Sequence, residues 1–142
     1  MNSFPEWVKV LAKEALDARN FAYAPYSGYT VGAALITENG NIYSGCNVEN
    51  ASYGATICAE RNAFFKAISE GESVFRAIAI AGGTDGQEPV EHAYPCGICR
   101  QVMQEFCDED FMIYTVKNFE EIEEFSLADL LPHGFGGANL KF

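Results

Sequence analysis

Val31-Gly32-Ala33-Ala34-Leu35-Ile36 is short and apolar on both faces, the pattern of a strand buried in the middle of a sheet rather than one with a wet side. Immediately downstream, Asn39-Gly40 carries the strongest short hairpin signal and predicts a return strand over 42–48. Upstream, Phe4, Trp7, Val8, Leu11 and Ala15 recur at helical spacing. Ser3 to Glu6 reads as a capping box that starts this helix, which ends before Ala24-Pro25. Beyond the hairpin, Thr56 is the candidate N-cap of a helix over 58–70, with Ala63, Phe64, Ala67 and Ile68 inward and Gly71 at the left-handed position after its end. A strand over 74–81, a loop over 82–94, a short helix over 96–106 and a strand over 111–116 follow. Ser126 caps a last helix over 127–131, which Pro132 ends. Alternation of this kind predicts a layered α/β sheet with helices on its faces.

The 142 residues fit a single domain, residues 1–142, and 49% hydrophobic with 20% charged residues is the composition of a folded chain. Nine Lys and Arg against 20 Asp and Glu leave a formal charge of −11, which argues against a nucleic-acid partner. Every apolar stretch is broken by Pro, Gly, Asn or charge before it could span a membrane, and Met1 to Glu6 does not read as a secretory signal. We therefore expect a soluble intracellular protein with no membrane partner. Its five cysteines are an odd set, which favours thiols or metal ligands over a disulfide framework.

Pro95-Cys96-Gly97-Ile98-Cys99 has the spacing by which two thiolates grip one tetrahedral zinc from a single turn. Alone, the motif also suits a redox dithiol or half of a structural zinc site. Ligand count separates these: a structural zinc takes four protein ligands, whereas a catalytic one takes three and leaves a place for water. Cys58 is the third ligand candidate, and Glu60 can lean toward the same cavity if both stand at a helix start. Three thiolates on one Zn²⁺ leave the site net negative, so both Arg61 and Arg100, each close in sequence to a candidate ligand, or at least Arg61, are expected to donate hydrogen bonds to the sulfurs. Asn47 and Glu49, two apart on an extended segment, would project together, and an amide beside a carboxylate suits paired sugar hydroxyls. A carboxylate repels phosphate, so the expected ligand is a nucleoside rather than a nucleotide.

Ala24-Pro25-Tyr26-Ser27 with Val31-Gly32-Ala33-Ala34, Gly45-Cys46-Asn47-Val48-Glu49-Asn50-Ala51, Cys58-Ala59-Glu60-Arg61 and Pro95-Cys96-Gly97-Ile98-Cys99-Arg100-Gln101 together resemble the zinc-dependent cytidine deaminases of the small homotetrameric class. The resemblance covers nearly the whole chain. It implies a three-layer α/β/α fold around a central mixed five-stranded sheet. It further implies hydrolytic deamination of cytidine and deoxycytidine to uridine and deoxyuridine in pyrimidine salvage, with Cys58, Cys96 and Cys99 as zinc ligands, a zinc-activated water, and Glu60 as proton shuttle. By the same likeness Asn47 and Glu49 hold the sugar, and the backbone around Ala59 helps to read the base. Tyr29 stands where the family usually has Phe and could still contact the base. Phe135 resembles the tail aromatic that reaches the base of a neighbouring subunit, and Tyr53 lies at a subunit contact, so a cytoplasmic homotetramer with shared sites is implied. The runner-up is a deaminase of a related aminopyrimidine such as blasticidin S. A non-catalytic zinc module and a thiol oxidoreductase stand as readings of another class. Cys46 and Cys107 read as small buried hydrophobes, His92 as a loop histidine, and the run Glu120, Glu121, Glu123, Glu124 as a solvated face.

Overall fold

The computed structural model describes residues 3–140. Its first helix, α1 (Glu6–Ala18), runs through a 3₁₀ turn (Arg19–Phe21) toward β1 (Tyr29–Thr37) and β2 (Ile42–Cys46). Then come α2 (Ala59–Ser69), β3 (Phe75–Thr84), α3 (Gly97–Phe106), β4 (Met112–Asn118), β5 (Glu121–Ser126) and the single-turn α4 (Leu127–Leu130). The strands form one mixed sheet in the order β2-β1-β3-β4-β5, with only β3 and β4 parallel.

Strand alternation sorts the apolar side chains into two cores. Ala34, Ile36, Ala77, Ala79 and Ala81 face α1, packing on Val8, Leu11, Ala12 and Ala15. Ala33, Leu35, Ile78, Ile80 and Ile113 face the other way, packing on Ala63, Phe64 and Ala67 of α2 and Met103 of α3. This is the three-layer α/β/α arrangement, and Val31 to Ile36 lies in its middle as a strand covered on both sides.

Several local expectations hold. Gly71 takes φ 95°, and the Gly71 and Glu72 amides donate to the Ile68 and Ala67 carbonyls, which closes α2 in a Schellman motif. Ser126 and Asp129 form a capping box on α4. Three details differ. Pro5, not Ser3, is the N-cap of α1, and no side-chain cap bond is made; Phe4 instead packs edge-on against Tyr114, so core contact holds the helix entry. Thr56 does not cap α2, because Val48 and Ile57 exchange both backbone hydrogen bonds and keep the chain extended until Cys58; the Thr56 hydroxyl accepts from the Asn50 amide. A strand not expected from the sequence, β5, runs through the acidic run: its Ile122 enters the α1 core, while Glu120, Glu121, Glu123 and Glu124 are exposed as a solvated face should be.

Close approach fixes where α2 begins. A Cβ at Gly45 would lie 2.5 Å from the Ala59 carbonyl oxygen and 2.6 Å from the Ala63 nitrogen, so only glycine lets β2 touch the first turn of α2. Among the described residues no helix is long and apolar enough to cross a membrane.

Candidate active site

Two helix starts meet on the α2–α3 face of the sheet. Cys58 is the N-cap of α2 and Cys96 the N-cap of α3, both with extended backbone and neither making a side-chain cap bond, so both sulfurs are free to point outward from the helix end. Cys99, one turn into α3, is buried. The Cys58 and Cys96 sulfurs are 3.7 Å apart, those of Cys96 and Cys99 are 3.5 Å apart, and all three lie within 4.8 Å of one another. Tetrahedral zinc with Zn–S bonds of about 2.3 Å spaces its sulfurs by about 3.8 Å, so the donor set fits that ion with shifts of a few tenths of an ångström. The hydrogen bond from Cys99 pulls the Cys58 thiol down to about 5, with Arg61 adding to the effect; the same bond and burial push Cys99 up.

Arg61, three residues past Cys58 and on the same helix face, donates from Nη2 to the Cys58 sulfur at 3.4 Å. Arg61 Nε is buried and has no partner among the described residues. Arg100 does not reach a sulfur: its Nε donates to the Pro95 carbonyl at 2.7 Å and its Nη1 to the Leu130 carbonyl at 2.7 Å. Arg100 stands four residues past Cys96, on its side of the helix, but its guanidinium is committed to these two carbonyls instead.

Glu60, 4% exposed, lies beside the cluster; burial pushes its carboxyl up to about 7, with the Cys58 charge adding. Cys58, Ala59, Glu60 and Cys96 line a cavity of about 460 Å³, within the range that holds a small ligand. Asn47, Glu49, Tyr29 and Ile80 line it as well. The Asn47 amide is pinned to β1, its oxygen accepting from the Val31 amide at 2.8 Å and its nitrogen donating to the Tyr29 carbonyl at 2.9 Å. Glu49 is half-buried and accepts from the Ser27 hydroxyl and from the amides of Ser27 and Tyr26, which holds its carboxyl below the usual range. The Tyr29 ring lies over Gly82 and beside Ala93, where burial pushes its phenol up.

Phe135 is not brought into this cavity by its own chain; it is half exposed, and its carbonyl accepts from Gln101. Tyr53 is 78% exposed and edge-on to Tyr26. Cys46 and Cys107 stay outside the cysteine cluster, and burial pushes Cys107 up to about 12. Ser27, Thr56, His92 and Tyr94 line the cavity without having been assigned a role from sequence. For His92 and Tyr94 the signal was there, two polar rings in the six residues before a ligand-spaced cysteine pair, but nothing local tells a wall from a loop.

Residues 5–115 match the family model described as the cytidine and deoxycytidylate deaminase zinc-binding region. The chain belongs to this deaminase family. It is similar to a curated cytidine deaminase of Sporosarcina psychrophila, 47% identical over 95% of this chain and 96% of that protein. A second, from Halalkalibacterium halodurans, is 47% identical over 94% and 97%. Among solved structures, the cytidine deaminase from Burkholderia pseudomallei superposes with a TM-score of 0.80 at 44% identity, covering 89% of this chain and 97% of that one. Deaminases of this family carry a zinc-binding region, and the cysteine cluster is the donor set suited to it.

Proposed function

We propose that the protein, as one domain over residues 1–142, hydrolytically deaminates cytidine and deoxycytidine to uridine and deoxyuridine, consuming one water and releasing one ammonia. The observation that carries the reading is a buried carboxylate, Glu60, adjoining three cysteine sulfurs at metal-binding spacing in a cavity that an amide and a carboxylate also line. The blasticidin-type alternative is not favoured, since the relatives above are cytidine deaminases.

Cys58, Cys96 and Cys99 would hold the zinc, which would supply an activated water, its pKa lowered to about 7, at the reacting centre. Three protein ligands leave the place for that water, whereas a structural site would close it. Glu60 takes the two protons of the attacking water in turn at its carboxylate and delivers one to ring N3 and one to the departing amine, a two-way duty that suits a carboxyl raised by burial. The sulfur-bound Arg61 guanidinium offsets the negative charge of the thiolates. Asn47 has one Nδ2 proton committed to β1 and one left to donate to a sugar hydroxyl oxygen, while Glu49, fixed by Ser27, accepts from a sugar O–H. That carboxylate disfavours a phosphate, hence nucleosides over nucleotides. Ala59 opens α2, where N–H groups lack partners within the helix, so its amide reads the base while the Tyr29 ring packs on it. Phe135 reaches a neighbour's site in a homotetramer; the strongly exposed aromatics Phe21, Tyr53 and Phe135 support such burial. Five unpaired cysteines suit the reducing cytoplasm, where pyrimidine salvage would place the enzyme.

The test follows ultraviolet absorbance of zinc-loaded protein with cytidine, with Glu60→Ala in parallel. Loss of the aminopyrimidine band by wild type, and no turnover by a variant that retains zinc, is the expected result. Zinc-loaded wild type inert on both cytidine and deoxycytidine overturns the reading.

A further inference from the structure

Strand residues of β1 and β3 line the cavity, and its two sides are anchored differently. Asn47 is tied to β1; His92 is tied to β4, with β3 between them contributing Ile80 to the cavity lining. Two strand spacings set these anchors about 9.5 Å apart along the sheet, long enough for a nucleoside to lie between them.

His92 is held by one nitrogen. Its Nδ1 stands 3.2 Å from the Thr115 carbonyl oxygen, 3.0 Å from the Thr115 hydroxyl and 3.6 Å from the Glu123 carboxylate. A carbonyl and a carboxylate can only accept, so the ring proton sits on Nδ1 and Nε2 of the neutral ring is an acceptor. Nε2 has no partner among the described residues and is not buried, while the ring lines the cavity. The same Glu123 oxygen accepts from the Tyr94 hydroxyl at 2.8 Å, and Tyr94 packs edge-on against Phe125, so one carboxylate on β5 braces both rings of this wall.

We propose that His92 is a specificity-determining contact: with the sugar at Asn47 and Glu49, Nε2 accepts a hydrogen bond from the 4-amino group of the base, and Thr115 and Glu123 are the positioning residues that orient the ring. The inference rests on the deaminase reading above. The amino group is the one hydrogen-bond donor that the cytosine ring carries and the uracil ring lacks, so an acceptor here favours substrate over product.

The experiment measures kcat and KM for cytidine and the inhibition constant of uridine with zinc-loaded protein. His92→Ala is expected to raise the cytidine KM about threefold to tenfold, the value of one hydrogen bond, with kcat and the uridine constant within about twofold. His92→Gln, which returns an acceptor oxygen, recovers most of the loss. Thr115→Val, a buried and nearly isosteric change, raises KM in the native background and adds nothing to His92→Ala. An unchanged cytidine KM, an equal weakening of uridine, or a fall in kcat alone overturns the proposal, and Thr115→Val with His92→Gln decides the matter if His92→Ala does not fold. A zinc-loaded wild type that leaves cytidine untouched brings down the deaminase reading instead, and this inference with it.

Discussion

The starts of α2 and α3 use one device for two ends. Each helix begins at a cysteine N-cap with extended backbone and no cap bond, and each carries an arginine near a cluster sulfur. At α2 the next residues turn inward: Glu60 is buried beside the sulfurs and Arg61 folds back onto Cys58. At α3 the second cysteine, Cys99, occupies the inward position, and Arg100 points away to bind the carbonyls of Pro95 and Leu130. A helix start lends its positive end to a thiolate in both places. On the proposed reading, the residues two and three positions on decide whether that start also handles protons or only holds the cluster in place.

The sharpest break comes at the α3 end. Cys99→Ala removes the buried donor, leaving two sulfurs that cannot retain the metal, and zinc per chain measured by atomic absorption is expected to fall from about one toward zero with loss of turnover. Glu60→Gln tests the α2 end at constant shape. Zinc stays, KM moves little, and kcat falls by about 10²- to 10⁴-fold, the usual value of a positioned proton-transfer group. If Glu60→Gln instead lost its metal, the division of labour between the two helix starts would be wrong.

Arg61→Gln lies between these extremes. It removes the donor to the Cys58 sulfur, and loss of such a ligand-orienting partner typically costs about 10- to 100-fold in metal affinity or activity. Competition with a chromophoric chelator reads the first, and initial rates at saturating zinc read the second. Far-ultraviolet circular dichroism should be unchanged, because the backbone hydrogen bonds of α2 do not involve the Arg61 side chain.

The same contrast explains what could be read from the chain. Both helix starts were visible because their signals are local: cysteine spacing, a glutamate two residues on, and Gly71 at a C-terminal cap. Val31 to Ile36 was legible as a central strand because it is apolar on both faces. What escaped depends on partners distant in sequence. Glu120, Glu121, Glu123 and Glu124 read as a solvated face, which they are, but the strand Glu121–Ser126 beneath them goes unmarked because an edge strand needs only Ile122 and a half-buried Phe125 to dock, and exposed glutamates are how such an edge stays single. Thr56 looks like a cap until Val48 pairs with Ile57. Asn47 reads as a ligand group, yet it also bridges two backbone groups of β1, a duty no local pattern announces. Arg100 was drawn to the sulfurs by its place beside Cys99, but the carbonyl of Leu130, distant in sequence, claims its guanidinium.

Arg100 therefore makes the smallest and most discriminating prediction. Its guanidinium ties the residue before Cys96 to the last residue of α4, so it joins the cysteine turn to the segment that leads toward Phe135. Arg100→Gln shortens the side chain and abandons two partly buried carbonyls, which at about 1–3 kcal/mol lowers Tm by about 2–8 °C. Zinc content and kcat should stay within about threefold of wild type, because no sulfur loses a donor. A variant with native Tm and weakened zinc would instead place Arg100 in the metal's surroundings, and the two helix starts would then be equivalent after all.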